Sequence, residues 1–280
     1  MEWLIDALYD NRLGKKLGGW AFMSPRLHRW VETAADSPLS RLLARYLTQR
    51  YEIDLDEAEL PLEEYRTLNE FFTRRLKPGA RPFTQDRFAF VSPADAMLSV
   101  RTNLSISERL NVKGIDLDVG GLLDAPKRAL EFDKGVMLVW RLYVPDCHRL
   151  YFPCDGTVGR IERVSGDYFS VTPRRNNSIS HYEKNQRWIT EFNSDEFGRM
   201  LFVDIGGFLI SSVQFSACEG ERVEQVQEKS IFRFGGSTLV ALLGPGRIEL
   251  TDRLLQASCS GEELRVKIAD VLGTASREGS

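Results

Sequence analysis

The stretch Phe232-Arg233-Phe234-Gly235-Gly236-Ser237-Thr238-Leu239-Val240 sets a serine directly behind two glycines. One reading is a Gly-Gly turn between two strands. The other is an acyl-shift site, in which the Ser237 hydroxyl attacks the carbonyl of the residue before it. That attack needs a peptide bent out of its relaxed geometry, and a glycine at 236 reaches such a geometry at little steric cost. Two further stretches hold groups that can carry charge or protons. In Val91-Ser92-Pro93-Ala94-Asp95-Ala96 an aspartate lies in a tight turn after a strand, which on its own reads as an Asx-turn. Tyr143 to Gly156 contains His148, one of only three histidines, set among Pro145, Asp146 and Arg149. A lone histidine is usually structural or solvated. It is also the side chain best suited to proton transfer near neutral pH.

These residues must be positioned by a chain whose texture changes along its length. Roughly the first eighty residues read as helices. Ser37-Pro38 is a helix start, with serine as N-cap and proline at the first helical position. Leu39, Leu42, Leu43, Tyr46 and Leu47 follow as one apolar stripe at helical spacing. Thr67-Leu68-Asn69-Glu70 is a capping box leading into Phe71 and Phe72, and this helix is expected to stop at Lys77-Pro78-Gly79. From about Phe88 onward, short apolar runs alternate with turn residues. Val136–Trp140, Phe169–Val171 and Leu201–Val203 read as strands, and Gly206-Gly207 as a bulge or a close backbone approach. The fold class is α+β, with a helical N-terminal segment packed on a β-rich core. Residues 1–82 are expected to form the helical segment, a candidate for membrane association, and residues 83–280 the β-rich core.

Composition excludes several classes. At 280 residues, 42% apolar and 28% charged, the chain is ordinary globular protein, and its net charge of −3 argues against nucleic-acid binding. Cys147, Cys154, Cys218 and Cys259 form no Cys-x-x-Cys pair, so neither a metal site nor a redox motif is expected, and a reducing compartment is the default. The N-terminus lacks the pattern of a signal peptide, and no apolar run approaches the roughly 20 residues that span a bilayer. Membrane contact, if made, is peripheral. Asn11 to Trp30 suits it, with Arg12, Lys15, Lys16, Arg26 and Arg29 beside Trp20, Phe22 and Met23 and no acidic residue.

Five segments, in order, resemble the phosphatidylserine decarboxylase family over most of the chain. Leu68 to Pro82 is similar to the family's helical signature, Ser92-Pro93-Ala94-Asp95 to its Ser-Pro-x-Asp motif, and Val112-Lys113-Gly114 to its Lys-Gly element. Asp146 to Arg149 is similar to its Asp-x-His-Arg segment, and Phe234 to Thr238 to its Gly-Ser-Thr processing site. The resemblance implies a precursor that cuts itself between Gly236 and Ser237, giving a β chain (1–236) and an α chain (237–280). Ser237 attacks the Gly236 carbonyl to form an ester, elimination frees Gly236 as a carboxyl terminus, and residue 237 becomes a pyruvoyl group as ammonia is lost. That group is the cofactor, forming a Schiff base with the substrate amine and withdrawing electrons as CO2 leaves. The implied reaction converts phosphatidylserine to phosphatidylethanolamine on the cytoplasmic side of a membrane. Asp95, His148 and Ser237 are the implied catalytic residues: Asp95 polarises a histidine base during maturation, and His148 transfers protons during decarboxylation. The implied partners are the phospholipid substrate, the membrane surface and the two chains of one precursor; a homo-oligomer is compatible with them.

Two positions depart from the family pattern. Ala96 stands where glycine is common, and Tyr151 stands where a second histidine, the usual base for self-cleavage, often lies. Tyrosine, with a pKa of about 10, is a poor base at neutral pH. Three readings stay open: His148 performs both tasks, maturation is slow, or the chain is a non-processing, lipid-binding peripheral relative. Within the enzymatic readings, another serine-bearing lipid or a small amino acid is an alternative substrate. A Ser-His-Asp lipid hydrolase would show a Gly-x-Ser-x-Gly elbow, which Gly235-Gly236-Ser237-Thr238 is not.

Overall fold

The computed structural model describes residues 24–107, 110–112, 115–169, 182–207, 213–234 and 237–276. Residues 11–23 of the basic stretch, Lys113, Gly114, Ser170, Val171, Gly235 and Gly236 therefore lie outside the described residues. The helices are α1 (Pro25–Ala35), α2 (Arg41–Arg50), α3 (Leu68–Phe72), α4 (Val119–Leu122), α5 (Pro126–Ala129) and α6 (Asp252–Ser260). The strands are β1 (Ala89–Val91), β2 (Ala96–Thr102), β3 (Leu110–Val112), β4 (Ile115–Leu117), β5 (Val136–Leu142), β6 (Arg149–Tyr151), β7 (Gly156–Val164) and β8 (Arg187–Ser194). They continue as β9 (Gly198–Gly206), β10 (Val213–Phe215), β11 (Arg222–Val223), β12 (Glu228–Phe232), β13 (Ser237–Leu243), β14 (Ile248–Leu250), β15 (Leu264–Val266) and β16 (Val271–Ala275).

An eight-stranded antiparallel sheet in the order β11-β7-β8-β9-β13-β5-β2-β15 forms the centre. Along β13 successive side chains alternate between its faces. Leu239, Ala241 and Leu243 join Trp140, Leu142 and Phe202 in one cluster; Val240 and Leu242 join Val139, Leu201 and Ile205 in another. Both faces are thus covered, which is why β13 reads as an unbroken apolar run rather than an alternating one. The first cluster is closed by Phe90, Leu250 and Leu272 of the sheet β1-β16-β14, by Leu254 of α6, and by Leu150 and Phe232 of the sheet β10-β12-β6. The second is closed by Val119 and Leu122 of α4 and Ala129 of α5. Gly198, at φ +69°, makes the tight turn from β8 into β9.

The helical segment packs around Ala35, Ala44, Leu47, Leu68, Phe71 and Phe72, and this cluster takes in Phe234 from the core. Ser37 accepts the Leu39 N–H as expected, but a 3-10 turn over Pro38–Ser40 precedes α2. The apolar stripe of α2 divides. Leu47 is buried, whereas Leu39, Leu42, Leu43 and Tyr46 are exposed. Thr67 caps α3 by accepting the Glu70 N–H. The helix ends at Phe72 rather than at Lys77, because Arg74 reaches across to the Pro145 carbonyl and Leu76 bridges to Ala58. Val136–Trp140 and Leu201–Val203 lie in strands, whereas Phe169 does not. Gly206 is no bulge: the β9–β13 register runs unbroken to the pair Gly206 and Ser237.

Candidate active site

Ser237 opens the central strand, between Leu142 of β5 and Gly206 of β9. The alternation of β13 turns its side chain to the face of Leu239, the face shared with Leu150 and Phe232. Gly206 brings no side chain against it. The Ser237 hydroxyl is fully buried and has no hydrogen-bond partner among the described residues. A buried polar group left unmatched costs about 1–3 kcal/mol, so each one calls for an explanation.

His148 immediately precedes β6 and is anchored through its own backbone: its carbonyl accepts the Phe232 N–H at 2.9 Å. The Asp-x-His spacing has a local cause. The Asp146 carboxylate accepts the Tyr143 N–H at 2.7 Å and pairs with Arg265, closing a tight turn. The Asp146 carbonyl then lies 3.0 Å from His148 Nδ1. A carbonyl can only accept, so Nδ1 carries the ring hydrogen and Nε2 presents its lone pair. Nε2 is buried and, like Ser237 Oγ, has no partner among the described residues. Burial, with the nearby Arg74 guanidinium, lowers the imidazole pKa to about 3, so the ring is neutral at physiological pH.

The segment after α3 is sewn to this turn. Arg74 donates to the Pro145 carbonyl, Arg149 Nε donates to the Thr73 carbonyl at 2.8 Å, and the Cys147 thiol points at the Arg74 carbonyl. Phe72 covers the His148 ring, with centroids 3.7 Å apart, and meets Phe234 edge-on at 5.1 Å. One aromatic side chain therefore spans from the histidine to the loop that leads into Ser237.

Asp95 is buried but is not set against His148. Arg81 grips both carboxylate oxygens, Nε at 3.1 Å and an amino nitrogen at 2.6 Å, and the Ile268 N–H adds a bond at 2.8 Å. Arg81 also pairs with Glu57 at 2.8 Å. With its oxygens so engaged, Asp95 makes neither the Asx-turn nor the imidazole contact expected from sequence. Burial first, and the Asp95 charge to a lesser degree, raise the Cys147 thiol and the phenol of Tyr151, which stands at the position of the absent second histidine. The Tyr151 phenol therefore stays protonated. Sequence reasoning singled out Asp95, His148 and Ser237 but missed Arg81, Arg74, Phe72 and the structural duty of Asp146. Only Asp146, two residues from the histidine, left a readable local signal.

The phosphatidylserine decarboxylase family model matches residues 68–273. A phosphatidylserine decarboxylase proenzyme of Ruminiclostridium cellulolyticum is 31% identical, covering 85% of this chain and 80% of its own length. One from Clostridium perfringens is 30% identical with 93% of each chain covered, and one from Chlamydia pneumoniae is 31% identical, covering 97% of this chain and 90% of its own. Among the described residues no helix is long and apolar enough to cross a membrane, and no group of three or more candidate ligands could hold a metal ion. A family match that runs from α3 through β16, and relatives that cover most of both chains, make this chain a member of the phosphatidylserine decarboxylase family.

Proposed function

We propose that the chain is a proenzyme that cleaves itself between Gly236 and Ser237 and then decarboxylates phosphatidylserine to phosphatidylethanolamine. The observation that carries this reading is the Ser237 hydroxyl, buried without a partner at the mouth of the central strand and directly behind the glycine pair. A strand hydrogen-bonded on both sides holds Ser237 still, and glycine is the residue that resists a bent peptide least. The neutral Nε2 of His148 is the free base for the serine proton and, after cleavage, for proton transfer to the product. Asp95, paired with Arg81 and bonded by the Ile268 N–H, serves the site by fixing its own turn rather than by touching the imidazole. Gly206, the β9 residue paired with Ser237, sets no side chain beside residue 237. A pyruvoyl group there supplies an electron-accepting carbonyl to a substrate amine.

The phospholipid surface is met by the helical segment. Trp30 and Leu39 are 68% and 80% exposed, and Leu42 and Tyr46 are also open, alongside the exposed Arg26, Arg29 and Arg45. Apolar side chains that enter the headgroup region beside cations that meet anionic lipid are the composition of a peripheral membrane contact.

Intact-mass spectrometry of the purified protein tests the central claim. Two pieces ending at 236 and beginning at 237 are expected, the smaller carrying a carbonyl-reactive, blocked N-terminus. A single full-length species that never reacts with a carbonyl reagent would leave the non-processing, lipid-binding reading in its place.

A further inference from the structure

The chain just ahead of the scissile bond is held by the helical segment rather than by the core alone. The Phe234 N–H donates to Asn69 Oδ1 at 2.9 Å, and Asn69 Nδ2 donates to Asp36 Oδ1 at 2.9 Å. The second oxygen of Asp36 pairs with Arg233. Asn69 belongs to α3, is 4% exposed, and uses both ends of its amide on these two contacts. Asp36 caps the C-terminus of α1, and Ser40, at the start of α2, accepts the Leu68 N–H at 2.8 Å. The end of α1 and the start of α3 thus hold two residues of the loop, and the start of α2 braces α3. On the far side, Ser237 is locked into the sheet by both neighbours. Only positions 235 and 236 separate the two anchors.

We propose that Asn69 is a positioning residue for self-cleavage, aligned by Asp36, which fixes the Phe234 backbone ahead of the peptide that Ser237 attacks. The proposal rests on the cleavage reading above. Its physical basis is that a reacting group is positioned only when the chain on both sides of it is held. Loss of the upstream anchor frees the attacked peptide relative to the hydroxyl, and a displacement of about 1 Å can cost roughly a hundredfold in rate. Phe72 ties the same helix to His148, so α3 sets the spacing of loop and base together.

The test follows conversion of freshly synthesised full-length precursor to the 1–236 and 237–280 pieces, for wild type and four variants, well below each melting temperature. Melting temperatures are measured separately on a Ser237→Ala background, where no cleavage intervenes. Asn69→Ala should slow cleavage about ten- to hundredfold. Asp36→Ala, at an exposed position, should slow it several-fold with little change in melting temperature. Asn69→Asp alone should also be slow, because two carboxylates then face each other. The exchange Asn69→Asp with Asp36→Asn again sets one amide donor against one carboxylate acceptor, leaves an oxygen at 69 for the Phe234 N–H and an oxygen at 36 for Arg233, and should return the rate to within a few-fold of wild type. Wild-type cleavage with all variants equally fast would overturn the proposal alone. Rates that merely track melting temperature, with no rescue by the exchange, would make Asn69 structural and also overturn it. A wild-type chain that never cleaves removes the processing reading and this proposal with it.

Discussion

Acidification should destabilise the folded protein through His148 in a way that one substitution removes. The unfolded imidazole titrates at about 6.5, whereas burial lowers the folded one to about 3. Between those values the unfolded chain binds a proton that the folded chain refuses, so stability falls as pH falls. The slope is about 1.4 kcal/mol per pH unit. From pH 7 to pH 5 roughly one and a half units lie below the unfolded pKa, giving a loss of about 2 kcal/mol from this group. For a chain of this size that is a drop of roughly 4–8 °C in Tm. Many carboxylates also titrate as the pH is lowered, so the diagnostic quantity is a difference of differences. Urea unfolding of the Ser237→Ala precursor and of the same protein with His148→Gln, each at pH 7 and pH 5, cancels those shared contributions. The histidine-bearing protein should lose about 2 kcal/mol more than its partner. Equal losses in the two proteins would mean that the ring is charged or solvated in the folded state, and would remove the neutral Nε2 base from the site.

Tyr151→Phe should leave the cleavage rate within a few-fold of wild type, since a half-buried, protonated phenol supplies no base; a stall at the precursor on a gel time course would assign the hydroxyl a role. Lys229 and Asp204 form a buried ion pair beneath β12, with Ser230 as a third member. Lys229→Met or Asp204→Asn alone should cost about 3–5 kcal/mol in denaturant unfolding, whereas Lys229→Met with Asp204→Leu should recover most of it; a double variant as unstable as the singles would show that the pair stabilises the fold outright. Sedimentation with anionic liposomes should weaken with salt and fall when Leu39 and Leu42 are both replaced by glutamate; unchanged recovery in the pellet would place the lipid contact elsewhere.

Periodicity and local turn chemistry were enough to read much of the framework. The apolar runs at Val136 and Leu201 lie in central strands, and Thr67 caps α3 as its spacing implies. What stayed hidden was decided by partners far away in sequence. Arg74 stops α3 early because Pro145, seventy-one residues on, offers a carbonyl. Asp95 is claimed by Arg81 and by the Ile268 N–H, 173 residues distant, which no pattern around Ser92–Ala96 could announce. The α2 stripe is a real amphipathic signal, yet helical spacing reports only that apolar residues share a face. It does not say whether protein or lipid covers that face, and most of this one is bare.

An orphaned buried atom is a weak clue by itself, since Tyr65 and Thr190 also keep unpartnered hydroxyls. What separates Ser237 and His148 from these is how strongly the surrounding structure fixes them. Ser237 lies on a strand paired on both sides, and His148 is pinned by its carbonyl, by its Nδ1–H and by the face of Phe72. Each is held by groups that satisfy everything except the atom needed for chemistry. Preorganisation of this kind lets a weakly basic imidazole serve, because the orientational cost of proton transfer is met during folding rather than during reaction. It also gives the helical segment a part in catalysis that its surface position would not suggest. Phe72 covers the imidazole and Asn69 holds the loop ahead of Ser237, so the exposed apolar face of the helices and the proposed cleavage site are joined through one turn of α3.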